Sequence, residues 1–236
     1  MTDLVDHIRR DSAALADAAA SNPAAAIARY EGWTQLDLLV HTGSVHRRTL
    51  EVVRIRSQER MGRVFPPDEA WGTVLPWFRQ GAALMADALE TTDPRTPVWA
   101  FGPDPCVGSW RVRMALETTV HRWDAQRAVG DPGPIDPLLA TRGIGEFGVL
   151  WAAALPTGGI EGDLGLRATD VGRTWTLAVV EGAARLAPGD ANDAVTGMAS
   201  GLYLWLLGRI PLEEMIVSGE VAAWDRAIHA LPDARR

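Results

Sequence analysis

Residues 109–129 read SWRVRMALETTVHRWDAQRAV. Trp110, Met114, Glu117, His121, Ala125 and Ala128 recur at steps of three and four, so one face of a helix carries them all. Large apolar residues and small alanines make this an inward face, and Glu117 and His121 sit in its middle. An ionised carboxylate inside a core is costly unless it is paired or bound to a metal. Side chains four apart on a helix have Cβ atoms about 5–6 Å from each other, close enough to ligate one ion. A His and a Glu in this register need one or two further ligands from a facing helix, which is how helical bundles build metal sites.

Working outward, the rest of the first half reads as three more helices. Residues 3–20 carry Val5, Ile8, Ser12, Leu15 and Ala19 at helical spacing until Asn22 and Pro23 stop the pattern. A second helix starts at Thr34, which with Asp37 makes a capping-box-like pair flanked by Trp33 and Leu38, and runs to about Arg56. A third spans roughly 68–90, where Trp71, Leu75, Phe78, Ala82, Met85 and Leu89 form a bundle seam. Four prolines make residues 91–108 a loop that crosses back over the bundle.

Gly130, Pro132, Gly133 and Pro134 then break the chain, which suggests a helical bundle over 1–132 and a second domain over 133–236. Asp136 and Pro137 open a fifth helix that extends to about Leu155. Beyond it, Leu164, Leu166 and Ala168 alternate with polar or small residues, as do Trp175, Leu177 and Val179 across a turn at 170–173. This predicts a hairpin, followed by a helix near 198–207, a short strand near Ile216 and a last helix over 220–230. The expected architecture is α plus α+β, the second domain being small and built on a mainly antiparallel sheet.

Composition excludes several classes. The net charge of -7 and pI near 5.2 argue against nucleic acid or an anionic membrane as partner, although all 23 basic residues are Arg. A single cysteine, Cys106, cannot close an internal disulfide and reads as incidental. The first residues lack the order of a signal peptide, and no apolar run is long enough for a membrane span. The expectation is a cytoplasmic protein, monomer or homodimer, acting on small molecules. The ten tryptophans are spaced for core packing rather than for sugar stacking.

Of the five histidines, His41 and His46 lie in the second helix, about 140° apart around it, so both cannot reach one ion. Leu38 and Val45 make the His41 side apolar, while Leu39, Leu50 and Val53 do the same for His46, so periodicity leaves the choice open. Plainer explanations exist for each residue taken singly. A histidine on a bundle face is commonly a core residue with one hydrogen bond, and Glu117 could pair with an arginine such as Arg79. Asp124 could back a ligand histidine or face Arg127. Arg209 could bind a carboxylate of thiol or substrate through its guanidinium fork, or could simply sit at a helix C-terminus where the dipole favours a cation.

Five blocks occur in a fixed order: WTQLDLLVH at 33–41, ETTVHRWDA at 117–125, IDPLLATRGIGEF at 135–147, RATDVGRTW at 167–175 and GMASGLYLWLLGR at 197–209. In these blocks the chain resembles the mycothiol-dependent maleylpyruvate isomerase family of actinobacteria. One departure is Arg142, where an Asp before the glycine would be expected. The resemblance implies a DinB-like four-helix bundle followed by a sterol-carrier-protein-like domain. It also implies a zinc site made by His41, Glu117 and His121, with mycothiol as the thiol cofactor.

Three protein ligands leave a coordination position open, as in a catalytic site. The family's chemistry would have a metal-bound thiolate add to an activated C=C bond, let that bond rotate, and leave; without the elimination it becomes thiol S-transfer. The expected function is therefore an isomerase or S-transferase acting on a small electrophile such as maleylpyruvate, with Arg209 on the substrate or thiol. A non-catalytic metal-binding module and a purely structural bundle are the alternatives. His/Glu/His sets also accept other divalent ions, nickel and iron among them.

Overall fold

Helix starts are set by side chains that satisfy the first free backbone amides. Asp3 accepts from Val5 N ahead of α1 (Leu4–Ser21), and Thr34 and Asp37 make a complete capping box ahead of α2 (Gln35–Arg54). Asp136 accepts from both Leu138 N and Leu139 N, and Pro137 occupies the first helical position of α5 (Pro137–Leu150). The computed structural model describes residues 3–231 and divides into two compact units, Met1–Pro134 and Ile135–Arg236.

The first unit is a four-helix bundle of α1, α2, α3 (Trp71–Thr91) and α4 (Val107–Val129). Helix α1 packs on α3 and α4, and so does α2, so the diagonal pairs α1/α2 and α3/α4 barely touch. One core cluster joins Leu15 and Ala19 of α1, Leu38 and Leu39 of α2, Phe78 of α3 and Ala125 of α4. In helix α4, Trp110, Met114 and Ala125 of the expected stripe are fully buried, but so are Ala115, Leu116, Thr118 and Thr119. Its burial therefore extends well beyond the single face that the sequence pattern suggested.

The second unit adds α5, β1 (Leu164–Ala168), β2 (Arg173–Val180), β3 (Ala183–Pro188), β4 (Ala194–Gly197), α6 (Ala199–Leu206), β5 (Ile216–Ser218) and α7 (Ala222–His229). Its sheet has the order β3-β2-β1-β4-β5. The expected hairpin is present, with Leu164 opposite Leu177 and Leu166 opposite Trp175. Two strands, β3 and β4, were not foreseen, and the β1–β4 pairing is parallel, which makes the sheet mixed. The fifth helix also ends earlier than expected, at Leu150, and only a 3₁₀ turn at Ala152–Ala154 follows it. Trp205, Trp224 and Tyr203 fill the core of this unit, and Gly143 lets α5 approach the Tyr203 ring.

Candidate metal centre

Helices α2 and α4 run antiparallel, and three contacts set their register. Gln35 Nε2 donates to Ala125 O at 2.7 Å, His46 Nε2 meets Thr118 Oγ1 at 2.9 Å, and Thr49 Oγ1 donates to Met114 Sδ at 3.3 Å. That register brings His41 across from Glu117 and His121. His41 Nε2 lies 3.5 Å and His121 Nε2 3.3 Å from the same atom, Glu117 Oε1. One donor atom from each of the three residues lies within 4.8 Å of the others.

Two ligands on a tetrahedral zinc, bonded at about 2.0–2.1 Å, stand roughly 3.3–3.4 Å apart. The two His–Glu separations therefore match those around a single ion, and the chemistry of the set, two imidazoles and a carboxylate, suits zinc. The site is enclosed but not sealed: the side chains of His41 and Glu117 keep 11% and 10% exposure.

Neighbouring groups orient each ligand. His121 Nδ1 donates to the buried Asp124 Oδ2 at 3.1 Å, which fixes the ring so that Nε2 faces Glu117 Oε1. Arg113, one turn before Glu117, holds Glu117 Oε2 and leaves Oε1 for the histidines. Arg63 Nη1 lies 3.4 Å from His41 Nδ1. A guanidinium can only donate, so this contact puts the His41 proton on Nε2, pointing at Glu117. Holding a metal on Nε2 requires His41 to give up that proton and Arg63 to release Nδ1. Arg63 sits in the loop between α2 and α3. Tyr30 and Trp33 wall the site, with ring centroids 6.2 Å from His121 and 5.2 Å from His41.

The electrostatics separate the two histidines. Burial pushes both toward the neutral form. For His41 that effect wins over the hydrogen bond to Glu117, and its pKa falls below the usual value. His121 gains more from Asp124 and Glu117 than burial takes away, and its pKa rises. Burial would raise Glu117, but the Arg113 charge and the hydrogen bonds from His121 and His41 outweigh it and hold the carboxyl well below its ordinary range.

His46 takes no part in this group. It is fully buried beside the Phe78 ring, and burial lowers its pKa to about 3, so it is a neutral core residue bonded to Thr118. Arg79 pairs with Asp17 at 3.0 Å and not with Glu117. Cys106 stands at the start of α4 with its Sγ 3.5 Å from Ser109 Oγ. Arg209 belongs to the second unit, where its Nη1 donates to Leu207 O at 2.8 Å. Two residues of the site went unnoticed in the sequence. Arg113 was legible as an Arg four before Glu117; Arg63, in an irregular loop, left no periodic signal.

The model of the mycothiol maleylpyruvate isomerase N-terminal domain matches residues 4–126. The chain belongs to this family. The family's domain thus spans the four helices and carries all three candidate ligands. Two crystal structures, of the mycothiol-dependent maleylpyruvate isomerase and of a histidine-to-alanine mutant of it, have the same fold as this chain. Both superpose with a TM-score of 0.65 over 94% of this chain and 98% of theirs, at 16% and 15% identity respectively. Among curated proteins, none matches. No helix of the described residues is long and apolar enough to cross a membrane.

Proposed function

We propose that this chain is a metal-dependent enzyme that uses a low-molecular-weight thiol, mycothiol in this family, to isomerise a small electrophile or to transfer the thiol to it. The observation that carries the reading is the convergence of His41, Glu117 and His121 on one point inside a domain of this family. Zinc held there would stabilise a coordinated thiol as its thiolate. The protein's own residues prepare for this. Asp124 orients the His121 ring, Arg113 confines Glu117 to one free oxygen, and Tyr30 and Trp33 flank the two histidine rings. Arg209 is assigned, in the same reading, to a carboxylate of the thiol or substrate.

Metal analysis of protein purified without an affinity tag tests the site. One equivalent of a divalent ion is expected, lost in both His41→Ala and His121→Ala. Thiol-dependent conversion of maleylpyruvate by the loaded protein tests the chemistry. A metal-free protein that His41→Ala leaves unaltered would overturn the site; stoichiometric metal without turnover of any electrophile in a panel would leave a metal-binding module.

A further inference from the structure

Arg48 is a buried cation without an anion. It lies two turns beyond His41 on α2, and only 6% of its surface is exposed. Its Nε has no hydrogen-bond acceptor, and no carboxylate among the described residues pairs with it. Instead three aromatic rings surround the guanidinium: Phe101, Trp110 and Trp99 lie with centroids 5.6, 5.7 and 5.9 Å from Cζ. Cation–π contacts offset part of the lost hydration but accept no hydrogen bonds in the guanidinium plane.

The surroundings add positive charge rather than cancel it. Burial, with Arg63, Arg60 and Arg113 nearby, lowers the Arg48 pKa to about 10, and Glu117 is the one nearby group that opposes the shift. Glu117 is already engaged, by Arg113 on Oε2 and by the two histidines on Oε1. On α4 the guanidinium faces Trp110, two turns before Glu117, just as Arg48 lies two turns beyond His41 on α2. A buried guanidinium, like-charged neighbours and the absence of a counter-ion together describe an anion site left to be completed by a ligand.

We infer that Arg48 binds a carboxylate of a small organic acid among Trp99, Phe101 and Trp110, two turns along the bundle from the metal triad. The flat guanidinium between aromatic walls suits a planar group taken in two parallel hydrogen bonds. A tetrahedral oxyanion would need donors for its further oxygens, and the Trp110 indole N–H is already given to Trp99 O. The inference rests on the proposed function only in taking this acid to be the substrate; the anion site itself stands on Arg48.

The test is maleate binding to the full chain in chelator, read by calorimetry and by thermal unfolding, with phosphate as a control ion. Maleate is expected to bind and to raise Tm in the wild type. Arg48→Met, a similar volume without charge, should lose at least tenfold in affinity while unfolding at the same temperature as the unliganded wild type or higher. Four results overturn the inference: no binding by the wild type, equal binding by Arg48→Met, equal affinity for phosphate, or an Arg48→Met protein that melts lower and still binds. If Arg48→Met does not fold, Arg48→Lys replaces it; severalfold weaker maleate binding supports the site and unchanged binding overturns it. Because chelator is present throughout, failure of the metal reading appears only in the metal analysis.

Discussion

Glu117 stays ionised in a nearly enclosed place because three cation-capable neighbours share its two oxygens. A carboxyl whose pKa is depressed on folding contributes stability above its unfolded pKa of about 4.3 and loses it as pH falls through the folded value. In chelator at pH 7, Glu117→Gln should therefore cost about 2–3 kcal/mol, toward the low side of a broken buried pair because the amide keeps one hydrogen bond. Urea unfolding at a series of pH values should show that gap closing toward acid pH; a gap independent of pH would mean that the charge of Glu117 is not what stabilises the site. His121 depends on Asp124 in the same local way. Asp124→Asn keeps the shape but weakens the hold on Nδ1–H, and a loss of about 10–100-fold in zinc affinity is expected by chelator competition. An unchanged affinity would assign Asp124 to packing alone.

At the scale of helices, the site depends on how closely α2 approaches its neighbours. A Cβ on Gly43 would overlap the Trp77 ring, and Arg47 pins that ring from above at 4.9 Å while donating to Trp77 O. Gly43→Ala gains up to about 1 kcal/mol of helix propensity but must push α2 and α3 apart, so a net loss of about 1–2 kcal/mol is expected. As Gly43 lies two residues from His41, the variant should also bind zinc more weakly; thermal unfolding and metal titration of the same protein check both parts. The elements themselves were largely legible, because caps and stripes are local signals: Thr34 with Asp37, Asp136 with Pro137, and the seam of α3. The choice between His41 and His46 was not. Helix α2 buries Leu38, Leu39, Thr42, Val45, His46 and Thr49, so apolar residues surround both histidines, and only the partner helix decides which one meets Glu117. Strands β3 and β4 were missed for a related reason. Their residues, AARLAP and AVTG, are small and carry no strong alternation, and they become strands through pairing with β2 and β1.

For the whole molecule, the distribution of functions between the two units makes a prediction of its own. His41, Glu117, His121, Asp124, Arg113, Arg63 and Arg48 all belong to Met1–Pro134, and Arg209 belongs to Ile135–Arg236. The first unit has its own core, closed around Leu15, Leu38, Leu39 and Phe78, and it needs no strand or helix from the second to bring its ligands together. A fragment of residues 1–134 should therefore unfold cooperatively by circular dichroism and hold one divalent ion with an affinity within about tenfold of the full chain's. Thiol-dependent turnover should be absent from it if Arg209 contributes to binding thiol or substrate. The two readouts separate the roles of the units. A fragment that folds but does not retain the metal would show that the second unit completes the coordination, whereas a fragment that turns over maleylpyruvate would remove Arg209 from the site.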